Sequence, residues 1–533
     1  MKQYDYIIVG AGAAGCVVAN RLSADPAINL LLLEAGGPDK NFLIHVPAGF
    51  TKLTGNSVNW GFSTVPQKEM NNREMHYPQG RTWGGSTSIN AMIYIRGNRK
   101  DYDAWLEMGN QGWGYEGVLP YFIKSENNER LVNEFHGTGG PLNVAEQTMH
   151  NVLTRAFVRS AQELGIPYNS DVNGAEQAGV TFYQVTQRKV HRESAATAFI
   201  KPILSRPNFT ALTNTQVIKV LIENGRAVGV IVRFQGGKLE TFLAGKEIIL
   251  SGGAINSPRL LLLSGIGPAT NLKKLGIEVV HNLPGVGKNL QDHMDVYIPA
   301  VVNQPVSYNG QDRFDRALLH GIQYMLYKTG PVTACVAEAG LFLKTSPDVR
   351  SPNIQIHCLP AYVVDHGRIQ IKGQGITINT CHLRPKSVGS VTLASAAPLV
   401  NPKIDPNYCG DPEGYDWKMA IEGFRWGRRL LEAPSLKPYI SREYLPGSQA
   451  QTDEEIKNYI RQWSKTDYHP VGTCKMGLDP MAVVDTELRV HGLKGLRVID
   501  ASIMPTLISG NTQAPSIMVG EKGAAMILEG KLV

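Results

Sequence analysis

The chain has 533 residues, more than the ~250–300 at which a single hydrophobic core stops growing, so two lobes are expected. Hydrophobic residues make up 43% and charged residues 19%, an ordinary globular composition, and no run approaches the ~18 uninterrupted apolar residues of a spanning helix. The net charge of +7 is dispersed rather than gathered in basic runs, which argues against nucleic-acid binding and leaves anionic cofactors or an acidic membrane surface open as partners.

The opening residues are polar and run almost at once into Ile7-Ile8-Val9, leaving no room for a cleavable signal, so a cytoplasmic location is expected. Residues 4–9 form a β-type run, followed by Gly10-Ala11-Gly12-Ala13-Ala14-Gly15 and an apolar, alanine-rich stretch to about residue 24 that reads as helix. Residues 29–33 are a second apolar strand ending at Glu34, 19 positions beyond Gly15. That spacing is close to the ~20 of a dinucleotide-binding βαβ unit. In such a unit Gly10 permits the tight turn, Gly12 lets backbone approach a pyrophosphate, and Gly15 lets helix and strand pack. Glu34, with Ala35 beside it, would then accept from ribose hydroxyls. The pattern alone does not separate FAD from NAD.

Residues 80–90 read Gly-Arg-Thr-Trp-Gly-Gly-Ser-Thr-Ser-Ile-Asn, too polar and glycine-rich for a core strand or helix. Composition alone would make this a surface loop, but it equally suits backbone wrapped around a ligand. Residues 209–287 are β-rich, and the apolar strand 247–250 leads into a turn, a capped helix and a glycine stop over residues 253–267. The six cysteines are scattered without a C-x-x-C pair, which fits a reduced compartment and buried side chains. No repeat or low-complexity tract is present, and no metal site is expected.

The two glycine-bearing stretches 80–90 and 253–267 resemble the signature motifs of the glucose-methanol-choline (GMC) oxidoreductases. The likeness runs from the first strand to the last helix. Asn289-Leu290-Gln291-Asp292-His293, the run from Tyr468-His469-Pro470 to Gly477, and Asp500-Ala501-Ser502 bring it nearest to the bacterial alcohol and choline dehydrogenase branch. The resemblance implies a mixed α/β (α+β) fold: an FAD-binding Rossmann-like βαβ domain and a substrate domain with an antiparallel sheet covered by helices. The implied segments are 1–155, 206–315 and 464–533 for the FAD lobe, and 156–205 and 316–463 for the substrate lobe. FAD would be lined by Gly10, Gly12, Ala13, Ala14, Gly15, Glu34, Ala35, Gly80, Thr82, Gly84, Gly85, Ser86, Asn90, Ala91, Met92, Val217, Asp500, Ala501, Asn511, Thr512 and Gln513.

Removing a hydride from an alcohol carbon becomes feasible once a base takes the hydroxyl proton, so such a site needs a base and a hydrogen-bonding positioner. The likeness assigns these roles to His469 and Asn511; without it, a loop histidine held by backbone and a helix-capping asparagine are the simpler readings. Pro515 fits the first turn of a helix continuing to about residue 527, whose positive end would face the flavin's pyrimidine ring. Glu338, His357, Asp467 and Tyr468 are weaker pocket candidates, with Glu338 suited either to a cationic head group or to a structural role. Phe342, Leu359 and Tyr362 would suit an apolar alcohol. The expected reaction is oxidation of a primary alcohol, with electrons passed to a quinone or another acceptor and peripheral contact with the inner membrane. Choline oxidation, oxygen as acceptor, and cyanohydrin cleavage on the same scaffold are the alternatives. Some relatives bond the flavin through a histidine in the loop 85–90, where this chain has Ile89, so non-covalent FAD is expected. Acid precipitation should accordingly release the yellow colour into the supernatant; colour retained in the pellet would contradict it.

Overall fold

The computed structural model describes residues 2–55 and 57–530. Three stretches far apart in sequence build its first sheet. The strand Lys2–Val9 pairs in parallel with Leu30–Leu33 on one side and with Leu239–Leu250 on the other. Phe209–Leu212 extends the parallel part outward, and Leu496–Val498 joins the end of Leu239–Leu250. The antiparallel strands Thr215–Glu223 and Arg226–Phe234 continue the sheet from the start of Leu239–Leu250. Ile7, Ile8, Leu30, Leu31 and Leu32 are fully buried, which is why these strands read as unbroken apolar runs rather than alternating ones.

The second sheet is antiparallel, in the order Ile440–Glu443, Met294–Val302, Gly375–His382, Ile354–Leu359, Ala339–Leu343, Gly179–Phe182. Its two faces have different jobs. Side chains alternate along a strand: Ile354, Ile356, Ile376 and Ile378 form one core with the helices Val152–Glu163 and Tyr415–Glu432. Gln355, His357 and Asn379 occupy the opposite face, His357 directly across from Asn379. The antiparallel, helix-covered sheet expected from the resemblance is therefore present.

Lobe boundaries differ from those expected. The strand Met294–Val302 belongs to the second sheet, although residues up to 315 were assigned to the first lobe, and Lys465–Thr466 pairs with it from within the segment 464–533. Conversely Ala195, Phe199, Ile200 and Ile203 pack into the first core. The chain crosses between lobes wherever its apolar residues find a face to cover, and that partner is not encoded locally.

The helix Gly253–Leu263 forms as expected, with Gly265 in the left-handed region just beyond it. Its cap is not local. Asp500 supplies it, accepting from the Gly253 amide at 2.8 Å and the Ser257 hydroxyl at 2.5 Å. All six cysteines are buried and unpaired. Among the described residues no helix is long and apolar enough to cross a membrane.

Candidate active site

A cavity of about 1370 Å³ opens between the two sheets, larger than the ~300–1,000 Å³ of an ordinary small-molecule site. Its walls include Gly10, Gly12, Ala13, Ala14, Glu34 and Ala35 from the first βαβ unit, and Gly80, Gly85, Ser86, Asn90, Ala91 and Met92 from the glycine-rich loop. Val217, Asp500, Ala501, Asn511, Thr512 and Gln513 line it as well. Three expected contacts do not. Gly15, Thr82 and Gly84 stand behind the wall. A β-carbon on Gly15 would lie 2.0 Å from the Gly10 carbonyl oxygen, so its role is helix–strand packing. The Thr82 hydroxyl donates to Gly37 O, and the Gly84 amide donates to Ala11 O at 2.8 Å, tying this loop to the first glycine turn.

The cradle fits a dinucleotide. Gly10 has φ +105°, and any β-carbon there would strike Ser251 O at 2.5 Å. The helix Ala13–Leu22 starts at Gly12 without a side-chain cap, so its first amides and its positive dipole end are free for phosphate. Glu34 accepts from the Ala11 amide at 2.9 Å and the Gly36 amide at 2.8 Å, and burial pushes its pKa up. It braces the turn, and the expected ribose hydroxyl would share those oxygens. At the far end, Thr512 begins the helix Gln513–Glu529, again without a side-chain cap. Asn90 donates to Gln513 there and accepts from Arg192 at 2.8 Å. Arg192 is fully enclosed, donates also to the carbonyls of Ile44 and Thr87, and has its pKa pulled to about 9 by burial.

His469, Asn511, His357 and Tyr468 all reach this cavity. Tyr468 adopts φ +69°, a costly conformation for a bulky residue, and its hydroxyl lies 2.5 Å from Nδ1 of His366. The next residue is anchored by Asp292: one oxygen accepts from the His469 amide at 2.8 Å, the other from the hydroxyls of Tyr77, Tyr408 and Thr466. Burial raises the Asp292 pKa to about 6.

Partner chemistry determines the tautomer of His469. Nε2 of His293 faces the Leu383 carbonyl at 3.2 Å, which can only accept, so that nitrogen carries the proton. Burial, then the neighbouring His469, hold His293 far below its usual pKa, so it is neutral and its Nδ1 is a lone pair. That atom lies 3.0 Å from Nδ1 of His469, which must therefore donate. The consequence is an unprotonated Nε2 on His469, which accepts from the Asn511 amide nitrogen at 3.1 Å. Asn511 is held in this orientation by Gln355, whose side-chain amide donates to Asn511 Oδ1 at 3.3 Å. Burial pulls the His469 pKa to about 4 while Asp467 pulls the other way.

Asp467 lies behind the ring. Its Oδ2 is 3.5 Å from Nδ1 of His469 and 3.8 Å from Nε2 of His357, and it is buried without a hydrogen-bond partner. Burial opposes its charge, but His469, His357 and Lys465 outweigh that and hold its pKa below the usual range. His357 continues through Tyr183 (3.0 Å) and Gln355 (3.2 Å) back to Asn511, closing a ring of polar groups. His293, Asp467 and His469 also offer three ligand atoms within 4.8 Å of one another. The 3.0 Å contact between the two rings is nevertheless that of a shared proton.

Of the two roles expected for Glu338, its contacts support the structural one. It does not line the cavity; it is fully buried, accepting from the Asn151 amide at 2.7 Å, the Thr154 hydroxyl at 2.6 Å and the Tyr308 hydroxyl. A carboxylate met by three donors is a structural tie. Leu359 and Tyr362 line the cavity as expected, whereas Phe342 packs behind them. Sequence reasoning missed His293, Gln355, Tyr183 and Arg192 as site residues.

A dinucleotide cradle and a neutral buried histidine share one cavity, which fits an enzyme that works on a bound dinucleotide cofactor. Family models described as GMC oxidoreductase match residues 4–295 and 385–520, and the chain belongs to that family. It is 47% identical over 530 residues to an alcohol dehydrogenase [acceptor] of Pseudomonas putida, covering 98% of this chain and 96% of that protein. An oxygen-dependent choline dehydrogenase of Sinorhizobium fredii is 42% identical, with 99% and 96% covered. Among solved structures, pyridoxine 4-oxidase from Mesorbium loti superposes with a TM-score of 0.90 at 31% identity, covering 99% of each chain. The cofactor is FAD.

Glu338→Gln should lower the melting temperature while leaving flavin reduction within about twofold for choline and neutral alcohols alike, because it strains a buried tie worth about 1–3 kcal/mol per unsatisfied group. A selective rise in the KM for choline would instead restore the cation-binding role.

Proposed function

We propose that this enzyme oxidises a neutral primary alcohol to the aldehyde, with His469 as the base and Asn511 as the positioner of the hydroxyl oxygen. The observation that carries this reading is the unprotonated Nε2 of His469, fixed by His293 and shared with the Asn511 amide. FAD bound in the cavity, non-covalently because Ile89 offers only hydrocarbon there, supplies the hydride acceptor.

The chain's own groups do the rest. Nε2 of His469 takes the hydroxyl proton, and the Asn511 amide, now beside an imidazolium, turns its N–H to the alkoxide oxygen. Asp467 compensates the new positive charge across 3.5 Å in buried surroundings that screen it weakly. Leu359, Ala361, Tyr362 and Val336 give the pocket an apolar wall, which suits a neutral alcohol, and with Glu338 engaged elsewhere choline loses its expected counter-charge. The likeness to an alcohol dehydrogenase [acceptor] supports a quinone or another acceptor over oxygen.

Anaerobic mixing of the holoenzyme with a panel of primary alcohols and choline tests this reading directly. Alcohols should bleach the flavin, quinone should restore it faster than oxygen, and His469→Ala should keep its colour while losing ~10²–10⁴-fold in reduction rate. A flavin that no alcohol bleaches, or near-normal reduction by His469→Ala, would defeat it.

Because the His469 pKa lies at about 4, the base is neutral throughout the physiological range, so reduction should be flat with pH and fall only as pH drops toward 4. Asp467→Asn removes the charge that raises this pKa. Its acid limb should move to lower pH, and its plateau should fall by about tenfold for each pKa unit of imidazolium stabilisation lost. A lower plateau with an unmoved limb would make Asp467 merely structural.

A further inference from the structure

Among the described residues, the helix Phe314–Tyr327 carries the largest set of exposed apolar side chains of any element. Phe314, Leu318, Leu319, Ile322, Met325, Leu326 and Tyr327 are each between 47% and 86% exposed. They are seven of the 22 large apolar side chains left exposed among the described residues. At about 100° per residue, the first six of these fall on one arc of roughly 140°. The helix is pinned to the protein chiefly by Tyr324, which is buried and whose hydroxyl lies 2.9 Å from Nδ1 of His191 and 3.1 Å from Val190 O. A protein surface of ordinary composition scatters such residues singly; a contiguous set marks a contact surface.

Two further observations identify what covers it. The helix lies at the mouth of the cavity, where Arg313, Arg316, Ala317 and His320 from its other side form part of the lining. A folded protein seated permanently on it would obstruct the entrance that substrate must use. The charges around it are also one-sided. Lys52, Arg313, Arg316 and Lys372 line this part of the cavity beside Asp312, and Lys328 follows the helix, while Asp312 and Asp315 are paired with Lys52 and Arg313 at 3.5 Å each. Arg316, Lys328 and Lys372 have no acidic partner among the described residues. An apolar arc flanked by uncompensated cations is the arrangement of a helix lying in the plane of an anionic bilayer, with its apolar side chains below the headgroups.

We propose that the helix Phe314–Tyr327 docks the enzyme on an anionic lipid surface, with the cavity mouth against the bilayer. An apolar alcohol and a bilayer-dissolved acceptor then reach the site without crossing water. The docking follows from exposure and charge, and only its bearing on turnover rests on the function proposed above. Vesicle binding and flavin reduction by a water-soluble alcohol are separate assays, so either idea can fail without the other.

The holoenzyme should float with vesicles of phosphatidylglycerol and phosphatidylcholine, and weakly or not at all with phosphatidylcholine alone. The triple variant Leu318→Gln, Met325→Gln, Leu326→Gln alters no cavity-lining residue. It should weaken that binding by about tenfold or more while leaving FAD content and reduction by a water-soluble alcohol unchanged. As a check that does not depend on the triple variant folding, Met325→Cys can be labelled selectively, since the six natural cysteines are buried. A polarity-sensitive dye there should shift to shorter wavelength when the anionic vesicles are added. Absence of vesicle binding by the unaltered enzyme, equal binding by the triple variant, or an unmoved dye would overturn the proposal. So would a dimer, stable without lipid, that the triple variant dissociates, because a second copy would then be the occupant.

Discussion

A carboxylate taken out of water has to be met by donors, and in this protein that requirement locates the catalytic end of the chain. Asp292 is buried and collects four donors, one of them the backbone amide of His469. Asp500 is buried as well and collects four more, joining the start of the helix Gly253–Leu263 to Ser502. Together they hold the carboxy-terminal segment against the glycine turn and the second sheet, so the base and the cradle share one cavity.

In the proposed reading, the site keeps a histidine neutral yet ready to become charged. Burial alone would make His469 a poor base, because an isolated imidazolium is costly away from water. His293 directs its proton to the far nitrogen, and Asp467 leaves an unpartnered oxygen where the new charge will sit. The strained backbone at Tyr468 aims the ring. Each of these features costs stability in the resting protein, and the proposed proton transfer accounts for each.

The second sheet divides its labour by the two-residue period of its strands. One face is aliphatic and closes a core with helices; the other carries Gln355, His357 and Asn379 toward the cavity. The same strands thus stabilise the lobe and furnish the pocket. At the rim, the apolar helix Phe314–Tyr327 continues the pocket's hydrocarbon character out to the surface.

Much of the first lobe is legible in the string of residues. The glycine turn, its two strands and Glu34 lie within 34 consecutive positions, and their geometry follows from local spacing. His469 and Asn511 were singled out through the family likeness of their flanking motifs, not through any property of the residues alone, and the fold brings their side chains to 3.1 Å of each other. Glu338 shows the limit: a carboxylate in an apolar stretch reads the same whether it points into a cavity or onto an amide, and only the packing of Asn151 and Thr154 decided that it is a tie. His293 and Gln355 were illegible for the same reason, since their partners lie 176 and 156 positions away. Sequence alone determined the elements and the cofactor cradle, because these depend on neighbours along the chain. The tertiary structure decided the tautomer of the base, the counter-charge behind it and the lobe boundaries, because those depend on which distant groups burial forces together.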